Sequence, residues 1–161
     1  MGQYLIDWFL KNSNYQLNLM VRDPNKLPFS VKNHHRVNLL ICDIRDCKKF
    51  KKEISESHFL IHTATAWGDP IRAHEVNIIA FEKLLGMLEE KRLEKIIYFS
   101  TASILDEKTE LMREALTYGT EYIQTKYQCY ERLMKSSFAK KSYVIFPTLV
   151  FGGTLNKNSR F

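Results

Sequence analysis

Glycine is scarce in this sequence, and its few copies form no phosphate-binding motif. The 161 residues include six glycines, and no G-x-G-x-x-G pattern occurs among them. A turn of that kind brings backbone N–H groups and a helix N-terminus against a phosphate group. The sequence therefore contains no complete glycine-rich loop that could hold a nucleotide by itself.

Cysteine is also sparse, and its number and spacing argue against a disulfide framework. Cys42, Cys47 and Cys129 are odd in number, and no C-x-x-C pair occurs. This arrangement fits reduced thiols better than a disulfide framework. Reduced thiols are typical of the cytosol, so we expect a cytoplasmic protein.

Histidine does not supply a metal site either. His58 and His62 are four residues apart, but residues 58–66 read as a buried strand. Two side chains four residues apart on a strand lie about 13 Å from each other. We therefore expect core or loop histidines and no metal bound by this chain.

Long apolar runs and basic clusters are missing as well. The first apolar run, residues 4–10, contains Asp7 and is too short for a secretory signal or a membrane span. The net charge is +6, but the basic residues are mixed with acids, as in residues 89–95. Because no basic stripe with interleaved aromatics occurs, we expect neither a nucleic-acid nor a membrane partner.

What the sequence does contain is a regular alternation of strand-like and helical segments. A hydrophobic content of 45% and a charged content of 26% indicate a folded domain. Apolar segments predict strands at 15–22, 36–42, 58–66, 95–101 and 142–151, and helical patterns fill 2–12, 45–56, 70–91 and 116–138. This order predicts an α/β fold with a parallel sheet and right-handed crossovers.

Polar residues follow several of the predicted strands. In open parallel sheets, ligands bind at the carboxyl ends of the strands. The residues that fall at this edge are Arg22, Asp43, Thr63, Thr65 and Thr101. The sequence therefore predicts a ligand site there.

A tyrosine and a lysine share one face of the last predicted helix. Tyr122 and Lys126, in YIQTK, are four residues apart and so lie one turn from each other. Eight tyrosines and sixteen lysines would produce about 0.8 such pairs by chance. The spacing becomes informative only through its position among other motifs.

Those motifs resemble, in order, the extended short-chain dehydrogenase/reductase superfamily, the NAD-dependent epimerase/dehydratase family. They are VRDPNKL, CDIRD, LIHTATA, the VN of HEVNIIAFEKLL, YFSTAS, YIQTK and FPTLVFG. The resemblance runs from Gly2 to about Gly153. It implies a Rossmann-like doubly wound parallel sheet, with residues 1–161 as one NAD(P)-binding domain.

The resemblance also implies catalytic roles. Tyr122 corresponds to the general acid/base, and Lys126 to the residue that favours its phenolate and binds the nicotinamide ribose. An ordinary tyrosine pKa of about 10 is too high for efficient proton transfer near neutrality, so such assistance is needed. Thr101 corresponds to the hydroxyl that orients the substrate oxygen, with Ser100 and Ser103 as neighbouring alternatives.

Further positions correspond to residues that hold the dinucleotide. Arg22 follows the second family strand, where an arginine can pair with a 2′-phosphate; this favours NADP over NAD, although adjacent Asp23 keeps NAD possible. Asn77 is interpreted as a tie between helix and strand. The remaining cofactor-binding candidates are Gly2, Asp43, Ile44, Thr63, Ala64, Thr65, Lys126 and Pro147.

The resemblance is incomplete at both ends. Gly2 matches the last glycine of the family fingerprint, and the family's central first strand and its C-terminal substrate region have no counterpart. In the family strand order 3-2-1-4-5-6, this predicts an unfilled place between the strands at 15–22 and 58–66. We therefore expect a truncated domain, a fragment of a longer enzyme.

The implied function is an NAD(P)-dependent oxidoreductase, epimerase or dehydratase that moves a hydride between nicotinamide and a carbon bearing oxygen. The expected substrate is a small molecule, such as a sugar nucleotide or another carbonyl or hydroxyl compound. The complete protein is expected to form a homodimer. The alternatives are a non-enzymatic dinucleotide-binding regulatory protein and an inactive fragment of such an enzyme.

Overall fold

Strands and helices alternate throughout residues 1–150, the part of the chain that the computed structural model describes. The strands are β1 (Leu17–Val21), β2 (Val37–Ile41), β3 (Phe59–His62), β4 (Lys95–Phe99) and β5 (Ser142–Ile145). The helices are α1 (Gly2–Asn12), α2 (Phe29–Lys32), α3 (Lys51–Ser55), α4 (Pro70–Ala73), α5 (Ala80–Leu85), α6 (Glu114–Tyr118) and α7 (Glu121–Lys135). The predicted α/β class is confirmed.

The five strands form two sheets in which every neighbouring pair is parallel. One sheet has the order β1-β2, and the other has the order β3-β4-β5. Leu17 lies opposite Val37 in the first sheet, and Phe59 lies opposite Lys95 in the second. Parallel neighbours require crossover connections, and the helices between the strands supply them.

A gap separates the two sheets. Within residues 1–150, β1 pairs only with β2, and β3 pairs only with β4. A cleft of about 1950 Å³ lies between these two strands. The gap coincides with the place that the sequence predicts to be unfilled.

The main core lies between the three-stranded sheet and helices α5 and α7. Ile96 and Tyr98 of β4, Phe81 of α5, and Cys129 and Leu133 of α7 are at most 1% exposed. Ile96 and Tyr98 alternate along β4 and so face the same side of the sheet, where α5 and α7 pack against them. This packing holds the carboxyl end of β4 beside the first turns of α7.

The helical segments are less regular than predicted. The segment predicted at 45–56 begins as a 3₁₀ helix over Ile44–Phe50, and the one at 70–91 contains a π-helical turn over His74–Ile79. Gly119 separates α6 from α7, where one helix was predicted over 116–138. The last predicted strand ends at Ile145, and Phe151 and Gly153 lie outside the described residues. No helix within residues 1–150 has the length and apolar character needed to cross a membrane.

Gly119→Ala is expected to destabilise the protein by about 1–3 kcal/mol, because overpacking has a cost of that size. A Cβ atom on Gly119 would lie 2.3 Å from the carbonyl oxygen of Ala115 and 2.8 Å from Cγ2 of Ile123. Gly86→Ala is the matched control, since its Cβ would lie 3.4 Å from the nearest atom, the carbonyl oxygen of Glu82. Urea unfolding measures both, and equal effects would contradict the steric explanation.

Candidate active site

Three side chains named from the sequence meet at the carboxyl end of β4. Thr101 follows the strand directly, and Tyr122 and Lys126 lie in the first half of α7. The Lys126 Nζ atom lies 5.8 Å from the centre of the Tyr122 ring. The Thr101 hydroxyl acts on the Tyr122 phenol by lowering its pKa. The structure thus brings phenol, ammonium and hydroxyl together at one edge of the sheet.

Lys126 is held by β4 as well as by its own helix. It is 3% exposed, its Nζ donates a hydrogen bond of 2.8 Å to the carbonyl oxygen of Phe99, and it lies 4.9 Å from the centre of the Tyr98 ring. Burial lowers the pKa of the Lys126 ammonium to about 8. The charge is therefore costly to bury, and its position is tightly determined.

The pKa of Tyr122 moves in the direction opposite to the one expected from the sequence. Partial burial raises it, and the hydrogen bond with Thr101 opposes that rise. The ammonium of Lys126 points to the carbonyl of Phe99, so it does not offset the loss of solvent around the phenol. The raised pKa keeps the Tyr122 phenol protonated at neutral pH.

The hydroxyl residues around Thr101 have different surroundings. Thr101 is buried, and its Oγ1 accepts a hydrogen bond from the backbone N–H of Ser103 and donates one to the Ser103 Oγ. Ser103 itself is exposed. The Ser100 Oγ is buried and has no hydrogen-bond partner within residues 1–150. Of the three alternatives, Thr101 is the one whose hydroxyl lowers the pKa of Tyr122.

Asn77 organises the loop that follows β3. Its amide accepts from the backbone N–H of Ala66 at 2.8 Å, donates to the carbonyl of Ala66 at 2.9 Å, and donates to the Thr125 Oγ1 at 2.9 Å. Thr65 also donates its hydroxyl hydrogen to the Asn77 Oδ1. The π-helical turn that carries Asn77 therefore ties the loop after β3 to α7, the helix of Tyr122.

Asn77→Leu is expected to cost about 2–4 kcal/mol of stability, because the buried N–H and C=O of Ala66 would lose their partners. Asn14→Ala changes an exposed asparagine and is expected to stay within about 0.5 kcal/mol of the wild type. Chemical unfolding of both variants measures the difference. If Asn77→Leu left the stability unchanged, the backbone N–H and C=O of Ala66 would have found other hydrogen-bond partners.

The cofactor candidates near α1 lie close together. The side of Gly2 where a Cβ would stand faces the Thr63 Oγ1 at 3.8 Å. Helix α1 begins at Gly2 with no acidic residue in its first turn and no side-chain cap. Its N-terminal N–H groups therefore favour an anionic partner. Ala64 follows Thr63 at the same edge and is half-buried.

The candidates at the ends of β1 and β2 include a partner that the sequence did not reveal. Asp43 and Ile44 are half-buried and Arg22 is exposed. Arg45 holds the Asp43 carboxylate through contacts of 3.0 and 3.2 Å, and it also contacts the Glu75 carboxylate at 2.8 Å. The side-chain hydrogen bond from Arg45 is the main reason that the pKa of Asp43 is lowered. Only the spacing of opposite charges in DIR could have suggested this pair.

Pro147 lies away from α1, after β5. Its carbonyl oxygen accepts a hydrogen bond of 3.0 Å from the backbone N–H of Ala102. The loop after β5 is therefore joined to the loop that carries Thr101. This places Pro147 beside the loop of Thr101, and Gly2 and Arg22 lie on the side of α1 and β1.

His62 is buried in the core, and the other four histidines are exposed or half-buried. His62 is 4% exposed, and its ring stacks at 5.6 Å on Tyr98 and packs at 4.8 Å against Phe81. Burial and the nearby Lys126 lower its pKa to about 3, so it is neutral at physiological pH. No group of three or more potential metal ligands occurs within residues 1–150.

Sequence comparison relates nearly the whole described chain to one family. A model of a family described as NAD(P)H-binding matches residues 1–149. No curated protein matches the sequence significantly. The matched range includes every site candidate discussed above.

Comparison of folds finds similar solved structures. A UDP-N-acetylglucosamine 4-epimerase from Methanobrevibacter ruminantium M1, in complex with UDP-N-acetylmuramic acid, is 18% identical with a TM-score of 0.76, over 99% of this chain and 55% of that one. The terminal R domain of the myxalamid PKS-NRPS biosynthetic pathway is 16% identical with a TM-score of 0.74, and the match covers 91% of this chain and 45% of that one. The enzyme WbmH of Bordetella bronchiseptica, in complex with NAD+, is 14% identical with a TM-score of 0.67, and the match covers 84% of this chain and 48% of that one. The chain thus shares their fold and spans about half their length.

Proposed function

Because this chain belongs to the NAD(P)H-binding family, we propose that it binds a nicotinamide dinucleotide for an oxidoreductase, epimerase or dehydratase reaction at a carbon bearing oxygen. The observation that carries this proposal is the meeting of Thr101, Tyr122 and Lys126 at the carboxyl end of β4. A protein that only sensed a dinucleotide would not need a buried ammonium beside a phenol. When bound, the nicotinamide would exchange the hydride.

The residues at this edge fit a dinucleotide. The N-terminus of α1 and Gly2 suit a pyrophosphate, because the first turn carries no acid to repel it. Asp43 and Ile44 suit the adenine side. The backbone of Thr63, Ala64 and Thr65 lies between the adenine side and the nicotinamide side. Lys126 and Pro147 lie on the side where the nicotinamide and its ribose would be.

Tyr122 is proposed to donate a proton to a substrate oxygen. Its raised pKa keeps the phenol protonated at neutral pH, which suits reduction of a carbonyl group, and the reverse reaction returns the proton. Thr101 orients the same oxygen through its hydroxyl. The domain defined by residues 1–161 is proposed to supply this machinery.

The substrate is proposed to be a sugar nucleotide or another carbonyl or hydroxyl compound. Two structures of similar fold contain uridine nucleotides, UDP-N-acetylmuramic acid in one and UDP with NAD in the other. In this chain, the exposed ring of Trp67 precedes Gly68, whose N–H donates to the Glu121 Oε1 at 2.7 Å. An aromatic residue in the loop that contacts Glu121, the residue before Tyr122, suits a planar group of the substrate.

Arg22→Glu is expected to weaken NADPH binding by roughly 10- to 100-fold, since a charge-assisted hydrogen bond contributes about 1.5–3 kcal/mol, and to leave NADH binding nearly unchanged. The exposed Arg22 is proposed to pair with the 2′-phosphate, so NADP is the preferred cofactor. Arg92→Glu makes the same charge change at an exposed residue between α5 and β4 and serves as the control. Saturation-transfer NMR titrations with both cofactors detect even millimolar affinities.

The outcomes of this titration separate the possible functions. Equal loss for both cofactors would exclude a 2′-phosphate contact by Arg22. Absence of saturation transfer to either dinucleotide would count against the proposed function itself. Binding without turnover of any carbonyl or hydroxyl compound would favour the regulatory alternative.

A further inference from the structure

Lys126 is a buried cation without a carboxylate partner. It is 3% exposed, and none of the ion pairs within residues 1–150 includes it. A charge removed from water is costly unless nearby polar groups replace the lost hydration. The surroundings of Lys126 must therefore compensate for the missing counter-ion.

The titratable side chains that face Lys126 within residues 1–150 carry no negative charge near neutral pH. His62 of β3 is neutral, because burial and Lys126 lower its pKa to about 3. On α7, burial raises the pKa of the Cys129 thiol to about 11 and also raises the pKa of the Tyr122 phenol. Burial, together with the nearby Cys129 thiol, raises the pKa of Tyr98 on β4. All four side chains are therefore uncharged.

Two dipolar groups of β4 take the place of a counter-ion. The Lys126 Nζ donates a hydrogen bond of 2.8 Å to the Phe99 carbonyl oxygen, and it lies over the Tyr98 ring, 4.9 Å from the ring centre. An aromatic face carries partial negative charge and attracts an ammonium that lies within about 6 Å of its centre. Because this site is buried, the attraction is stronger than it would be at the surface.

The ring of Tyr98 is itself fixed in place. It is 1% exposed, it stacks on the His62 ring at 5.6 Å, and the Phe81 ring packs against it at 5.0 Å. Close packing of this kind limits the movement of core side chains. Tyr98 therefore offers Lys126 an aromatic surface at a defined position.

We propose that Tyr98 is a positioning residue for Lys126: the face of its ring keeps the ammonium charged and holds it beside Tyr122. The Nζ atom lies 5.8 Å from the centre of the Tyr122 ring. An ammonium has three N–H donors, and Phe99 accepts one of them, which leaves two for the ribose hydroxyls. Binding of the ribose rests on the proposed function, whereas the contact between Tyr98 and Lys126 does not.

The charge needs this support because burial brings Lys126 close to losing its proton. The pKa of Lys126 is lowered to about 8, so a further fall of about one unit would leave about half of the side chains neutral at pH 7. A cation–π contact in a desolvated site is strong enough to shift a pKa by that amount. A neutral amine has fewer donors and no charge, so it would bind ribose hydroxyls less strongly.

The test measures the pKa of Lys126 in the 161-residue chain with no dinucleotide present. Isotope-labelled lysine side chains are followed by NMR from about pH 5 to 11, a range that spans the ordinary lysine pKa, and the Lys126 signal is identified by its absence in Lys126→Met. Tyr98→Leu removes the ring and should lower the pKa of Lys126 by about one unit. Tyr98→Phe keeps the ring and should change that pKa little. An equal fall in both variants would assign the effect to the hydroxyl and overturn the proposal.

Phe81→Leu is the matched control for the loss of a ring from the core. Phe81 is fully buried and packs against Tyr98, but it is not one of the rings that Lys126 approaches within residues 1–150. The pKa of Lys126 should therefore change by less than a third of the fall in Tyr98→Leu. A fall of the same size in Phe81→Leu would mean that packing of the core, and not the face of Tyr98, sets this pKa.

Fluorinated phenylalanines at position 98 decide the question even if Tyr98→Leu does not fold. Each added fluorine withdraws electron density from the ring face and changes the ring shape little. With Tyr98→Phe as the starting point, the pKa of Lys126 should fall with each fluorine, because the attraction is electrostatic. A pKa that stays constant across this series would contradict the proposal directly.

Dinucleotide binding measures the consequence for function. The affinity of Tyr98→Leu, or of the most fluorinated variant, for NAD+ should be several-fold below wild type at about pH 8 and nearly equal to it at about pH 6, where Lys126 is protonated in all of them. A loss that is the same at both pH values would mean that Tyr98 only maintains packing, against the proposal. If the wild type binds no dinucleotide, the proposed function fails, and the measured pKa of Lys126 still decides the role of Tyr98.

Discussion

Tyr122→Phe is expected to lower turnover by roughly 10²- to 10⁴-fold, the range typical of lost general acid/base catalysis. Phenylalanine keeps the ring that packs near Lys126 and Thr101, so the fold and dinucleotide affinity should change little. The measurement is the rate of NADPH oxidation with whichever carbonyl compound proves to be a substrate, together with a titration of the cofactor. A fall in turnover with unchanged affinity assigns the proton transfer to the phenol.

The control for this substitution is Tyr118→Phe. Tyr118 ends α6 and is 84% exposed, so the same chemical change there should leave turnover within about twofold of the wild type. Undiminished turnover in Tyr122→Phe would contradict the assigned role. It would reduce the YIQTK spacing to the chance pair that about 0.8 expected occurrences allow.

Thr101→Val provides a second test of the same proton transfer. Its hydroxyl lowers the pKa of Tyr122, and groups that act as a unit show strongly non-additive losses. The variant that combines Thr101→Val with Tyr122→Phe should therefore lose little more turnover than Tyr122→Phe alone. Additive losses would mean that Thr101 and Tyr122 act independently.

Much of the fold could be predicted because buried parallel strands appear in the sequence as continuous apolar segments. Residues 95–101 and 142–151 are continuous apolar segments, and the structure contains β4 and β5 within them. The predicted NAD(P)-binding domain is confirmed by the family match, and the predicted Rossmann-like class is confirmed by the similar folds. The order of weak motifs therefore carried information that no single motif had.

The interruptions in the helices could not be predicted, because they depend on tertiary contacts. Gly119 lies where α6 and α7 meet so closely that a Cβ would contact the Ala115 carbonyl, and nothing in the local sequence indicates that approach. The π-helical turn at Asn77 likewise satisfies Ala66, eleven residues away. Periodicity reports which face is buried and not what it touches.

The electrostatics of the site were predicted least well. Favourable pairing of Lys126 with a Tyr122 phenolate was inferred from a shared helical face. In the structure, burial raises the pKa of Tyr122 and lowers that of Lys126. Burial depends on how α7 packs against β4, which residue spacing does not contain. Arg45, which holds Asp43, was missed for a similar reason.

Lys126→Met is expected to impair function while stabilising the fold. Without the ammonium, turnover and dinucleotide affinity should both fall at least tenfold, since Lys126 is proposed to bind the nicotinamide ribose beside Tyr122. Stability should rise, because a shift of the Lys126 pKa from 10.5 to about 8 corresponds to a burial penalty of about 3 kcal/mol. The lost hydrogen bond to the Phe99 carbonyl makes that figure an upper bound.

The pH dependence of this stability difference has a definite sign. Between about pH 8 and 10.5, the unfolded chain keeps the proton of Lys126 and the folded chain has lost it, so wild-type stability rises with pH relative to the methionine variant. The advantage of Lys126→Met should therefore be largest below pH 8 and should vanish near pH 10.5. Lys135→Met, an exposed change on the same helix, should show no such trend. Urea unfolding of the three proteins at several pH values measures this, and a difference that stays constant from pH 7 to 10 would show that Lys126 is not buried as a charge.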